Sequence, residues 1–272
     1  MKELGLDLIE VRAFFEEIQA TPMIQVKIEP ERAEAWTQLL GVPVRRCYIS
    51  DGRLADLVEQ DGHAHKTILE ALLPDKGSVM AGDYGEIITA LYLAACAYPA
   101  ETHEPKMWRL KSRRTKPSEG SDVVQFQLPH WPESSSDDRI TCAEVKTKST
   151  NGQSTPVQSA IQHSRKDREN RLAKTLVWLR ERAILGDLDT VALDHLDRFI
   201  KATDHPPAAR EFRAVAVIST ELVDDELLGV DEILPDEDEC TLIVISIPDL
   251  KANYESLFET LLANSDVEVL AP

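Results

Sequence analysis

Three short stretches carry side chains that could do chemistry together. Glu86 follows Gly85, Asp122 closes Gly120-Ser121-Asp122, and Glu144 and Lys146 flank Val145. Residues two apart on a strand point to one face, so Glu144 and Lys146 share a face if 139–148 is extended. DVVQFQL (122–128) alternates and reads as the antiparallel partner across the loop 129–138. If Leu128 faced Arg139, residue 122 would oppose residue 145; a slip of one sets Asp122 opposite Glu144 or Lys146 and on their face. Directly opposed Cβ atoms lie about 4.5–5.5 Å apart. At that range two carboxylates can hold one Mg²⁺ or Mn²⁺ through hard oxygen ligands. The ion would polarise a phosphoryl oxygen and lower the pKa of a bound water. Lys146 would sit beside the attacking water and stabilise the charge of the phosphorane-like transition state. Glu86 could add a ligand or orient a water. The chemistry implied is metal-dependent phosphodiester hydrolysis.

Plainer uses compete for the same residues. A Glu-x-Lys pair often marks a solvated strand edge, but Val123, Val124, Ala143 and Val145 set these charges inside apolar strands, where a polar group needs a partner. Asp83-Tyr84-Gly85-Glu86 has the spacing of a capping box, which would account for Glu86 without catalysis. Lys106 to Lys116 form the densest basic cluster, suited to solvent or to phosphate. Lys111, Arg113, Arg114 and Lys148 are the candidate nucleic-acid contacts. Arg165, Lys166, Arg168, Arg171 and Lys174 read as a solvated helix face or a partner contact.

The elements that must position these residues follow from hydrophobic spacing. Helical spacing covers 4–20, 31–40 and 53–73, with strand-like runs at 23–30 and 42–50. A helix capped by Asp83 runs to a stop before Pro99 and is apolar on nearly every face, so it should be buried. Strands are expected at 105–111, 122–128, 139–148, 212–220 and 241–247. Helices are expected from Pro156 to about 184, over 188–203 and over 249–263. The alternation indicates an α/β fold. Residues 1–75 read as an N-terminal α/β extension and 76–272 as the main domain.

Composition sets the outer limits. The chain has 272 residues, 43% of them hydrophobic, which is globular rather than disordered. No apolar run approaches the roughly 20 residues that span a bilayer, so no membrane partner is expected. Cys47, Cys96, Cys142 and Cys240 are far apart, with no zinc-knuckle or disulfide spacing, and a reduced, cytoplasmic protein is expected. With 30 Lys plus Arg against 48 Asp plus Glu, the formal charge is −18, which argues against general nucleic-acid coating. Residues 101–180 nevertheless carry 15 Lys plus Arg against 10 Asp plus Glu, so one phosphate-facing surface is compatible with an acidic body. The acidic stretch 224–239 reads as a solvated loop, or as a segment that binds a basic surface or covers the site.

The order helix with Glu, strand with Asp, strand with Glu-x-Lys, then helix resembles the PD-(D/E)xK nuclease superfamily, with Ser121 where the motif usually has proline. Within it, Gly85-Glu86, Lys106 to Lys111, Gly120 to Val124 and Glu144 to Lys146 resemble the HamA family, the nuclease subunits of the bacterial Hachiman anti-phage system. The resemblance spans residues 80–165. It implies a restriction-endonuclease-like core with a mixed central sheet flanked by helices. It implies catalytic Asp122, Glu144, Lys146 and Glu86, with Mg²⁺ or Mn²⁺ on Asp122, Glu144 and Glu86. It also implies DNA as substrate and a HamB-like helicase partner that restrains the nuclease. The rival readings are a nuclease subunit of another restriction or defence system, and a catalytically silent nuclease-fold scaffold that binds a partner protein.

Overall fold

The computed structural model describes residues 1–116, 120–236 and 238–263. A seven-stranded sheet runs through them in the order β1-β2-β7-β6-β5-β4-β3. Its strands are β1 (Glu16–Gln19), β2 (Ile24–Lys27), β3 (Thr102–His103), β4 (Val123–Gln127), β5 (Arg139–Lys148), β6 (Ala209–Ser219) and β7 (Thr241–Ile247). The four central strands β2, β7, β6 and β5 are parallel; β1 on one side and β4 and β3 on the other are antiparallel. The helices are α1 (Leu8–Phe14), α2 (Ala33–Tyr48), α3 (Asp51–Glu59), α4 (His65–Leu72), α5 (Ser78–Ala97), α6 (Pro156–Lys166), α7 (Leu172–Ile184), α8 (Leu193–Ile200), α9 (Val223–Leu227) and α10 (Leu250–Ala263). A π turn, Asp167–Arg171, joins α6 to α7. This is the expected α/β architecture, a mixed sheet flanked by helices, and it agrees with a restriction-endonuclease-like fold.

The apolar runs of β6 and β7 are continuous because both faces of the sheet are covered. Val215 and Val217 share a core with Tyr84, Ile87 and Leu91 of α5. Ala214, Ala216 and Ile218 point the other way and pack on Val157, Ala160 and Ile161 of α6. Helix α5 lies against β5, α1 and α10 and is buried along nearly its whole length, as its sequence predicts. In the first 75 residues, β1 and β2 continue the sheet, and Val11, Trp36 and Leu40 enter the α5 core. No helix among the described residues is long and apolar enough to cross a membrane.

Several local expectations give way to tertiary context. Helical spacing over 4–20 breaks at Phe15, where α1 ends and β1 begins; the rings of Phe14 and Phe15 both pack on Trp36, at 5.2 and 5.3 Å. The run 42–50 is not a strand but the second half of α2. Trp36, Leu40, Val44 and Cys47 form one buried helical face, and Pro43 is accommodated within the helix. Residues 105–111 form a 3-10 turn, Met107–Leu110, set up by Lys106 at φ 49. That left-handed residue is held by its fully buried ammonium, which pairs with Glu104 at 2.5 Å and Glu3 at 3.2 Å. Helix α5 begins after Gly77, whose φ of 115 suits only glycine, so Asp83 and Glu86 are interior and no capping box forms there.

Candidate active site

The β4–β5 pairing fixes the register of the carboxylates. Gln127 faces Arg139 and Val123 faces Ala143, so the hairpin is slipped by one from a Leu128–Arg139 pairing. Continuing that register sets Asp122 opposite Glu144. Strand β4 has ended by then, while β5 runs on to Lys148 with its β4-side edge open. Asp122 closes the ladder: its Oδ2 accepts the Val145 backbone N–H at 2.8 Å. A β5 amide that would otherwise lack a strand partner thus anchors the carboxylate.

Glu144 and Lys146 project on the α6 side of the sheet, and the Glu144 side chain is buried. The Lys146 ammonium contacts Glu144 Oε1, donates to the Val145 carbonyl at 3.1 Å and lies 3.9 Å from Asp122 Oδ2. One cation is thus surrounded by oxygens from three residues.

Glu86 reaches the open edge from the α5 side. A Cβ on Gly85 would lie 2.1 Å from Thr147 Oγ1, so only glycine lets α5 sit this close to β5. Trp108, in the 3-10 turn, donates its indole N–H to Glu86 at 2.9 Å. Asp83, one turn earlier, accepts from Tyr48 Oη at 2.7 Å and pairs with Lys111. A cleft of about 470 Å³ follows the open edge of β5, lined by Glu86, Asp122, Lys146 and Lys148 and, from α10, by Lys251 and Tyr254.

Electrostatics bias the cleft toward taking up positive charge. Burial, then the neighbouring Glu144, pushes the Asp122 carboxyl up to about 7, against the opposing pull of Lys146. Burial, then Asp122, raises Glu86 well above the usual carboxylate range. A hard divalent cation fits this donor set: two carboxylates and a main-chain carbonyl already surround an ammonium. The set is small, since among the described residues no three His, Cys, Asp or Glu side chains converge as a ready-made metal cluster.

Sequence reasoning missed the residues behind Glu144. Arg171 is not part of a solvated face. Its Nη2 contacts Glu144 Oε2 and donates to the His163 carbonyl at 3.0 Å. The same guanidinium grips Asp167 through Nε at 2.7 Å and Nη2 at 2.6 Å. His163 Nδ1 lies 3.2 Å from Glu144 Oε1. Asp167 also accepts from Ser121 Oγ at 2.6 Å, and the Ser121 N–H donates to Thr175 Oγ1 at 3.0 Å. A proline at 121 would lack that N–H, which gives the serine a physical reason. Asp167 and Arg171 bound the π turn, and such turns recur at functional sites. The available signal was an Asp and an Arg four apart after a Glu-x-Lys strand, hidden among five basic residues.

Much of the basic cluster is spent internally. Lys106 pairs with Glu104, Arg109 with Asp189 at 2.6 Å and Arg114 with Asp75 at 2.5 Å. Lys111 is turned inward onto Asp83, with its side chain 6% exposed. Lys148 lines the cleft, but its amine is held by the Gly152 and Ser154 carbonyls at 2.9 and 2.8 Å and by Glu226. Of the four candidate nucleic-acid residues, Arg113 alone is exposed without an ion pair among the described residues. The basic stretch 112–121 and the acidic stretch 224–239 each lie partly outside the described residues. Within the acidic stretch, Glu226 and Glu239 pair with Lys148 and Arg165, so it is more than a free solvated loop.

Residues 19–261, nearly the whole chain, match the HamA family. The chain belongs to that family. No curated protein matches it. Membership extends the resemblance read at 80–165 into β2 and across β6, β7 and most of α10, and it ties this HamA-family chain to a role in Hachiman defence.

Proposed function

We propose that this HamA-family chain is a metal-dependent deoxyribonuclease, the effector of bacterial anti-phage defence, on the PD-(D/E)xK plan. The observation that carries the reading is the Lys146 ammonium set among oxygens of Glu144, Val145 and Asp122 at the floor of an open cleft. Asp122, Glu144 and the Val145 carbonyl would hold Mg²⁺ or Mn²⁺, with Glu86 adding an oxygen or orienting a water. When bound, the ion would polarise a phosphoryl oxygen and make a bound water more acidic.

This chain's own residues do the remainder. Lys146 leaves the carboxylates and sets its positive charge beside the attacked phosphate. Asp122 is held by the Val145 N–H, so it presents its free oxygen without reorganising. Glu86, held by the Trp108 indole N–H at the cleft wall, faces the same space as Asp122 and Lys146. DNA enters along the open edge of β5, and a helicase partner supplies phosphate affinity that the internally paired basic residues do not. The small donor set supports one rival, a silent scaffold that binds a partner protein and no metal.

Cleavage of supercoiled and linear DNA by purified protein with Mg²⁺ or Mn²⁺ tests the reading, alongside Glu144→Ala and Lys146→Ala. Cutting by the wild type and by neither variant supports it. Absence of both cutting and metal binding leaves the scaffold.

A further inference from the structure

The two oxygens of Glu144 meet different kinds of partner. Oε1 faces Lys146 and His163, whose side chains are 30% and 37% exposed, and Lys146 lines the cleft. Oε2 faces Arg171. That guanidinium, 25% exposed, is also held by both oxygens of Asp167 and by the His163 carbonyl, all from its own chain segment. Asp167, itself buried, carries the connection on to Ser121, the residue before Asp122. Thr175 adds a second tie, accepting the Ser121 N–H and donating its hydroxyl to the Arg171 carbonyl at 2.9 Å. Gly120 completes the junction, because at φ 99 a Cβ there would press to 2.7 Å from Thr175 Oγ1. Both carboxylates proposed for the cation are thus referred to one rigid unit, the π turn and the start of α7.

We propose that Arg171 is a positioning residue for the cation site: it fixes Glu144 by Oε2, leaves Oε1 for the cation, and through Asp167 and Ser121 holds the backbone that carries Asp122. The inference rests on the metal-site reading above and adds a division of labour within it. Lys146 would give up its place on Glu144 to a bound cation, and Arg171 would keep its own. A guanidinium suits this role because its planar fork serves two carboxylates at once, which a lysine ammonium on a flexible stem cannot do in the same geometry.

The test is Mn²⁺ binding to the full chain by titration calorimetry, for wild type, Arg171→Lys and Asp167→Asn, with folding followed by circular dichroism. Residues behind metal ligands typically contribute about 10–100-fold to metal affinity. Arg171→Lys keeps the charge and is expected to weaken Mn²⁺ binding by about tenfold or more, with unchanged stoichiometry. Asp167→Asn keeps the guanidinium but loosens its clamp, and its affinity is expected to shift in the same direction. A merely structural ion pair would lower the melting temperature and leave the affinity of the folded protein unchanged. Folded Arg171→Lys with unchanged or tighter binding overturns the proposal, as does unchanged Asp167→Asn should the lysine variant not fold. A wild type that binds no Mn²⁺ overturns the metal site itself and this inference with it, so the two failures are distinguishable.

Discussion

An ammonium lodged among carboxylate oxygens makes different demands on Lys146 and on Glu144. If the position belongs to a divalent cation, Lys146→Ala removes a competitor, and Mn²⁺ affinity should hold or rise while DNA cleavage is lost. Glu144→Ala removes a ligand, and affinity and cleavage should fall together; calorimetry beside a plasmid assay separates the two. Asp122 adds a pH signature. Its carboxyl is held near 7 in the fold, above the unfolded value of about 3.9, so the folded state binds more protons between those limits. Stability without metal should therefore fall as pH rises from about 4 to about 7. A carboxamide in its place could still accept the Val145 N–H without carrying charge. Asp122→Asn should accordingly raise unfolding stability at pH 8 and leave it unchanged near pH 4. Equal shifts at both pH values would contradict the half-buried, charge-averse position assigned to Asp122.

The site depends on how closely α5 approaches β5. Gly85→Ala would normally gain helix propensity, yet its methyl meets Thr147 Oγ1 at 2.1 Å. The net effect should be a loss of about 1–3 kcal/mol in denaturant unfolding, the usual cost of overpacking. Adding Thr147→Ala should recover most of it, because the nearest neighbour of that methyl outside Thr147 is Val145 Cγ1, at 3.5 Å. At this scale the sequence was readable where the signal is local. The alternation of 122–128 and 139–148 announced the hairpin, and the unbroken apolar face of 87–98 announced a buried helix. Its limits are equally local. VPVRRCYIS is apolar and β-branched enough for a strand, but Trp36 and Leu40 upstream complete a helical stripe that only the α5 core makes decisive. Arg171 looked like one more surface cation, because the π turn that aims it at Glu144 leaves no mark in hydrophobic spacing.

Across the whole molecule, charge is arranged so that the excess is acid and much of the base is already paired. Lys106, Arg109, Lys111 and Lys148 are drawn into internal contacts, against a formal net charge of −18. The isolated chain should therefore bind duplex DNA weakly, with a dissociation constant toward about 10⁻⁴ M at physiological salt, the weak end of non-specific binding. Its salt dependence should be shallow, reflecting about one or two phosphate contacts. Fluorescence anisotropy of a labelled duplex measures both. Tight binding with a steep salt slope would mean that the basic residues open on contact, and that no partner is needed to supply phosphate affinity.

The central claim is that the oxygens now gathered on the Lys146 ammonium belong to a divalent cation. Anomalous diffraction at the manganese edge, from crystals of the protein grown with Mn²⁺, addresses it directly. The expected result is a single strong peak bonded to Asp122 and Glu144, with the Lys146 amine displaced into the cleft and Arg171 still on Glu144. A map with no peak there, and the Lys146 amine still seated between the two carboxylates, would contradict the account.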